Sequence, residues 1–196
     1  MLLAGTDSMS KRWIMTTVAV LVVTGGVSAS ATTASANEAQ VAAATGTLSC
    51  GTVTATDKNN ARALNPRLTS SLKGHLAGYE VSCARAIVKK VKTQRLPSRA
   101  AIVAITTAIV ESRLRNLSHG DRGRLGLFQQ PASWGSAAKR KNATTATGLF
   151  LSKMVQLSNW KDRPVGEVCQ WVQRSAFPDR YYGYVNDGTT ITEKLW

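Results

Sequence analysis

Apolar residues recur along much of the chain with the period of an α-helix. In residues 79 to 93 they return at steps of three and four, and most positions between them are basic or small. Similar spacing in residues 143 to 155 predicts another core helix, and Pro164 marks the start of a further one that carries Cys169 on its apolar face. The pattern predicts a mainly α-helical protein.

One predicted helix differs from the others because it is apolar on every side. Ser98 is a natural N-cap for a helix that we expect to run from Arg99 to about Leu117, and residues 100 to 110 are apolar apart from two threonines. Such a helix has to be buried, and Glu111 is the first ionisable residue after the apolar run. Burial and the helix dipole both raise the pKa of a carboxyl group at that end, as general-acid catalysis requires.

An ordinary surface role for Glu111 is the alternative. Arg115 follows four residues later, where an ion pair on one helix face contributes about 0.2–0.5 kcal/mol. Helix position alone favours this pair slightly over catalysis.

The start of the chain has the order of a secretory signal peptide. Lys11 and Arg12 precede the apolar residues 13 to 27, and the small residues 34 to 36 form an A-x-A site. The apolar run is too short to span a bilayer. We expect a signal peptide over 1–36, a low-complexity linker or arm over 37–74, a folded domain over 75–196, and a short tail after Asn186.

The net charge points to an anionic partner. The chain carries 25 Lys+Arg and 11 Asp+Glu, a balance of +14. Export argues against nucleic acid and favours the anionic polymers of a cell wall. We therefore expect a secreted or wall-associated protein.

Three cysteines are too few and too scattered for a zinc site, and His75 and His119 lack the spacing of a metal motif. We expect no metal and no cofactor. In an oxidising compartment one disulfide and one free thiol are expected. Cys50 with Cys83 is favoured because Cys169 lies on an apolar helix face, but Cys83 with Cys169 is nearly as well supported.

Two short motifs resemble a known enzyme family. Glu111-Ser112 is followed 15 residues after Glu111 by Gly126-Leu127-Phe128-Gln129, which resembles the active-site signature of the soluble lytic transglycosylases of the lysozyme superfamily. Residues 172 to 179, VQRSAFPD, resemble the ending found in secreted actinobacterial members. Phe128 stands where methionine is usual, Val172 replaces a tyrosine, and the loop after Gln130 is two residues shorter than in those members.

The resemblance implies a lysozyme-like helical domain with a small β-hairpin around residues 119 to 129, near the active site. It implies cleavage of the bond between N-acetylmuramic acid and N-acetylglucosamine by Glu111 as the one catalytic carboxylate. By motif, Ser112, Phe128, Gln129 and Gln173 would bind substrate, although either glutamine can also be a structural amide.

Two alternatives stay open at this point. Asp121 is the nearby acid that would serve as a second carboxylate in a hydrolytic, lysozyme-type reaction, and otherwise it is a turn residue beside glycine. The shortened loop and the missing tyrosine favour a lysozyme-like wall-binding or inhibitory protein without turnover, whereas Glu111 and the motif spacing favour the enzyme. In either case we expect a monomer whose partner is peptidoglycan.

Overall fold

The computed structural model describes residues 46–196, and this part of the chain is mainly α-helical. The predicted signal peptide lies outside the described residues. Short 3-10 turns connect the helices, at Asn65–Arg67, Asp121–Gly123, Ala132–Trp134 and Pro178–Tyr184. The α-helices are α1 (Ala55–Leu64), α2 (Gly78–Thr93), α3 (Ser98–Ser112), α4 (Ala137–Lys141), α5 (Ala143–Met154), α6 (Val165–Gln173) and α7 (Val185–Leu195).

The apolar helix α3 lies at the centre of the molecule. It packs against α2, α5, α6, α7 and the turn Pro178–Tyr184, so its neighbours cover most of its surface. Ile105 and Ile109 on this helix have almost no solvent exposure. Complete burial of such a side chain contributes about 1.5–3 kcal/mol to folding, so α3 is a large part of the core.

The start of α3 agrees with the prediction to within a residue, but its end does not. The helix stops at Ser112 because Arg113 adopts a left-handed conformation (φ 56°), and Leu114 follows it there (φ 60°). The Arg113 and Leu114 N–H groups bond to the carbonyl oxygens of Ile109 and Ala108 at 2.8 and 3.0 Å, which closes the last turn. Arginine is an unusual residue for this conformation, so the sequence does not mark the end.

The expectation of a linker or arm over 37–74 is wrong for the described residues 46–74, which are folded. Helix α1 begins with a capping box between Thr54 and Asp57, and it packs against α2. Asp57 is buried and forms an ion pair with Arg85 of α2 at 2.8 Å. Residues that look like low complexity in composition therefore supply specific caps and partners.

The expected tail after Asn186 is also wrong, because this segment is part of α7 and packs on α3. Ile191 of α7 is fully buried. Asp187 accepts hydrogen bonds from the backbone N–H groups of Thr69 and Ser70 at 2.8 and 3.0 Å, which ties α7 to the chain after α1. The apolar positions of α7 are few, so their helical period is hard to detect in the sequence.

The disulfide joins Cys50 to Cys83, the favoured pairing, and Cys169 is a buried free cysteine. The bond attaches the segment before α1 to the middle of α2. Loop closure of this kind restricts the unfolded chain and stabilises the fold.

The region expected to form a hairpin is mostly irregular. Within residues 119 to 129 the structure has the 3-10 turn Asp121–Gly123, and Leu125 forms an isolated antiparallel bridge with Gln130. The backbone of Gln130 bonds to Leu125 in both directions, at 2.9 and 3.1 Å, around a tight four-residue turn. Among residues 46–196, no helix is long and apolar enough to cross a membrane.

Replacing Gly188 by alanine is expected to destabilise the protein by about 1–3 kcal/mol, because α7 and α3 approach closely at this glycine. An added Cβ would lie 2.1 Å from the Thr106 Oγ1 atom. Urea unfolding followed by circular dichroism measures the effect. Gly183→Ala is the matched control, since its Cβ would meet no atom within 4 Å. Equal destabilisation by both substitutions would show that the contact is not tight.

Candidate active site

Glu111 lies in the last turn of α3, where the buried helix reaches partial exposure. The hydroxyl of Tyr181, in the turn before α7, donates a hydrogen bond of 2.7 Å to its Oε1 atom. The alternative ion pair with Arg115 does not form. Because α3 ends at Ser112, Arg115 leaves the helix face and lies with its Nε atom 3.7 Å from Glu80 of α2.

Burial raises the pKa of Glu111 above its ordinary value, and it outweighs three opposing influences. The hydrogen bond from Tyr181 lowers this pKa, and the positive charges of Arg180 and Arg124 also lower it. The net direction is the one that a general acid needs near neutral pH.

The segment 126 to 130 is fastened to the end of α3 by the motif side chains themselves. The Ser112 hydroxyl lies 2.7 Å from the carbonyl oxygen of Leu127 and 3.0 Å from that of Ala108, and its single proton is shared between these two acceptors. The Gln173 amide, at the end of α6, donates to the carbonyl of Phe128 at 3.0 Å. Ser112 and Gln173 are buried, so both act as structural groups that position this loop beside Glu111.

The side chain of Phe128 lies in the core. Its side chain is fully buried and stacks on Phe150 of α5, with ring centroids 4.7 Å apart. This apolar residue serves the core, because the tight turn points it inward. The role in substrate binding that the resemblance implies for Phe128 stays a prediction.

Gln129 also makes its bonds within the loop. It is buried, has a left-handed backbone (φ 45°), and donates from its side-chain amide to the carbonyl of Gly126 at 3.0 Å. Gly126 has φ 76°, and a Cβ there would lie 2.1 Å from the carbonyl oxygen of Arg140. The glycine of the motif is thus required by its backbone conformation and by close packing.

Arg140 is a positioning residue that sequence reasoning missed. The run Lys139-Arg140-Lys141 has the composition of a solvated surface, yet Arg140 is buried under this loop. Its guanidinium donates to the carbonyl oxygens of Gly135, Gly123 and Gln130, each at 2.9 Å. Nothing in a run of three basic residues distinguishes the buried one.

Asp121 is a surface carboxylate in the 3-10 turn. Its side chain is 84% exposed, and its nearest cation is the equally exposed Arg122, at 3.6 Å. An ion pair so open to solvent contributes little. Its environment is that of a turn aspartate and gives it none of the shielding that Glu111 has.

Tyr181 is another residue beside Glu111 whose role the sequence pattern does not reveal. Tyr181 is fully buried, and its hydroxyl contacts Glu111 across 70 residues of sequence. Arg180 donates weakly, at 3.4 Å, to the carbonyl of Val110. The exposed aromatic side chains nearby are Phe177 and Tyr182, which are 69% and 48% exposed.

Metal or thiol chemistry finds no support in residues 46–196. No group of three or more His, Cys, Asp and Glu residues is arranged there to hold a metal ion. Burial raises the pKa of the Cys169 thiol to about 12, so this cysteine stays protonated and unreactive. Glu111 is therefore the strongest candidate for chemistry in this part of the chain.

Models of known protein families do not match the chain, and no curated protein is similar to it in sequence at a significant level.

Glu111→Gln is expected to be more stable than the wild type at neutral pH. A carboxyl whose pKa is raised on folding loses stability as the pH rises from its unfolded pKa through its folded pKa, and glutamine does not ionise. Denaturant unfolding from pH 3.5 to 7 measures the difference, which should vanish at the acid end, where Glu111 is neutral in both states. Glu193→Gln, at an exposed position of α7, should show no such trend. A difference that does not change with pH would contradict the raised pKa.

Tyr181→Phe is expected to raise the pKa of Glu111 further, since the lost hydrogen bond is one of the interactions that lower it. The carboxyl ¹³C signal of Glu111, followed by NMR during a pH titration, reports this pKa directly. Tyr182→Phe removes the hydroxyl of an exposed neighbour and should leave the titration unchanged. An unchanged or lowered pKa in Tyr181→Phe would show that the hydroxyl does not stabilise the carboxylate.

Proposed function

We propose that the protein is a secreted peptidoglycan-cleaving enzyme of the lytic transglycosylase type, with a lysozyme-like fold. One observation carries the proposal. Glu111 is a largely shielded carboxyl group with a raised pKa, at the end of a buried apolar helix and beside a rigid loop. The spacing of Glu111-Ser112 and Gly126 to Gln129, which resembles that family, gives this acid a substrate class.

In the proposed reaction the Glu111 carboxyl protonates the oxygen of the β-1,4 bond between N-acetylmuramic acid and N-acetylglucosamine. The bond breaks as the leaving sugar takes that proton. The carboxylate then removes the proton from the 6-hydroxyl of the muramoyl sugar, whose oxygen attacks the anomeric carbon and closes a 1,6-anhydro ring. Glu111 ends protonated, so one carboxyl group completes the cycle without a second acid, a cofactor or a metal.

Tyr181 and the arginines have complementary roles in this scheme. The Tyr181 hydroxyl holds Oε1, so the carboxyl is oriented with Oε2 left for the substrate. Arg124 and Arg180 limit the rise in the pKa of Glu111, which helps the carboxylate form in the second step. Tyr181 is a positioning residue, because it acts through Glu111.

Sugar contacts are proposed for the loop backbone and for exposed aromatic rings. Since Ser112, Phe128, Gln129 and Gln173 are buried, they shape the loop rather than contact sugar. Phe177 precedes the turn that carries Tyr181, Tyr182 lies within that turn, and both expose ring surface on which a sugar can stack. The charge of +14 would hold a monomeric enzyme on peptidoglycan and anionic wall polymers rather than on nucleic acid.

The second candidate is a lysozyme-like wall-binding or inhibitory protein without turnover. It is favoured by the internal use of the motif amides, since Gln129 and Gln173 both donate to the loop backbone. Such a protein would retain affinity for the wall through its basic surface and release no sugars.

Glu111→Gln is expected to reduce release of muropeptides from purified peptidoglycan by at least about 10²-fold, a typical contribution of general acid–base catalysis. Mass spectrometry of the soluble products measures release and distinguishes anhydro ends from water-added ends. Glu193→Gln is the charge-matched control on α7, and Asp121→Asn tests the hydrolytic alternative.

Equal release by the wild type and Glu111→Gln would refute the role of Glu111. Water-added products that disappear in Asp121→Asn would replace the transglycosylase route by hydrolysis. Absence of release from every variant, with binding to sedimented peptidoglycan retained, would support the wall-binding alternative.

A further inference from the structure

A polar cavity lies beside the segment that follows α3. Its volume is about 280 Å³, and its wall is formed by Leu72, His75, Glu80, Arg113 and Arg115. Leu72 and Glu80 are buried, whereas His75 and Arg113 are exposed. Two arginines and one histidine are among the five lining residues, and the cavity holds several times the volume of one water molecule.

The chain brings the two arginines together through its unusual backbone at residues 113 and 114. Both residues have positive φ, and Leu114 between the arginines is fully buried. The two guanidinium groups therefore flank one cavity instead of separating along a helix. Arg113 is fixed there by a bond of 2.8 Å from its Nη2 atom to the carbonyl of Ser71.

The single acid of the cavity is already engaged. Glu80 accepts from the backbone N–H of Ala77 at 3.1 Å with its Oε2 atom, as the cap of α2. Its Oε1 atom faces the Arg115 Nε atom at 3.7 Å, which is beyond hydrogen-bonding distance. One carboxylate thus faces two guanidinium groups, and the cavity retains a net positive charge.

An unsatisfied donor points to a missing partner. The Nε atom of Arg115 is buried and has no hydrogen-bond acceptor in the described part of the chain. A buried donor without an acceptor is unfavourable in free energy. A ligand oxygen in the cavity would remove this cost by accepting a hydrogen bond from the Nε–H group. Guanidinium groups bind carboxylate and phosphate oxygens through paired, charge-assisted hydrogen bonds.

We propose that this cavity is a binding site for a small oxyanion, a carboxylate or phosphate group, held between Arg113 and Arg115 with His75 at the rim. The site depends on the cavity and its charges alone and does not require the activity proposed for Glu111. It would give the protein a second recognition point for an anionic group, adjacent to the end of the helix that carries Glu111.

Titration of the full-length protein with inorganic phosphate and, separately, with acetate tests the site, at ionic strength held constant with chloride. The readout is the NMR signal of the Arg115 Nε–H group, which should move and saturate. Arg113→Gln is expected to weaken binding by about tenfold or more, since it removes charge-assisted hydrogen bonds. Glu80→Gln keeps an acceptor for the Ala77 N–H but removes the competing charge, so it should bind several-fold more tightly.

Arg122→Gln is the control for a change of one positive charge, because Arg122 is 88% exposed and does not line the cavity. Saturation by acetate alone would assign a carboxylate ligand, and saturation by phosphate alone would assign a phosphate. The proposal is overturned if neither anion gives a saturable change, or if Arg113→Gln and Arg122→Gln have equal effects. Unchanged binding in Glu80→Gln would likewise overturn the geometry. None of these readouts measures glycan cleavage, so the outcome of the binding test is independent of whether the protein cleaves peptidoglycan.

Discussion

The burial of α3 is the constraint on which the rest of the structure depends. A helix that is apolar on every side is stable in water only if other elements surround it, and α2, α5, α6 and α7 do so. Glu111 lies where the surrounding helices no longer cover α3 completely, so its side chain is only partly shielded from solvent. The raised pKa of Glu111 is a consequence of that position, since burial is its largest cause.

The residues of the motif that resembles an enzyme signature mainly form hydrogen bonds that hold the loop 126 to 130 in place. Ser112 and Gln173 bond to consecutive carbonyl groups of the loop, and Gly126 permits the backbone to approach Arg140. Arg140 bonds to one carbonyl group of the loop and to two on either side of it. These bonds lie in a buried environment, where breaking one leaves an unsatisfied group. Spacing along the chain can thus reflect the demands of a rigid loop as much as contacts with a ligand.

Sequence patterns predicted the elements with long apolar runs and failed where single polar contacts decide the structure. The core helices α2, α3, α5 and α6 follow from the apolar period. The disulfide of Cys50 with Cys83 was the favoured one of two nearly equal pairings. Helix α1 was missed because its stability comes from a capping box and a partner on α2, and α7 because its apolar residues are few. Tyr181 and Arg140 act through the fold at long range, which no local pattern records.

The late position of Tyr181 and α7 in the chain has a consequence for synthesis. Helix α3 emerges about 70 residues before Tyr181 and still longer before the residues of α7 that cover it. During that interval part of the apolar surface of α3 is still uncovered, and exposed apolar surface promotes aggregation. Until then, too, Glu111 lacks both its hydrogen-bond partner and much of its shielding, so a chain still in production holds an ordinary carboxylate at this position. The raised pKa of Glu111 therefore develops only after Tyr181 and α7 have been synthesised.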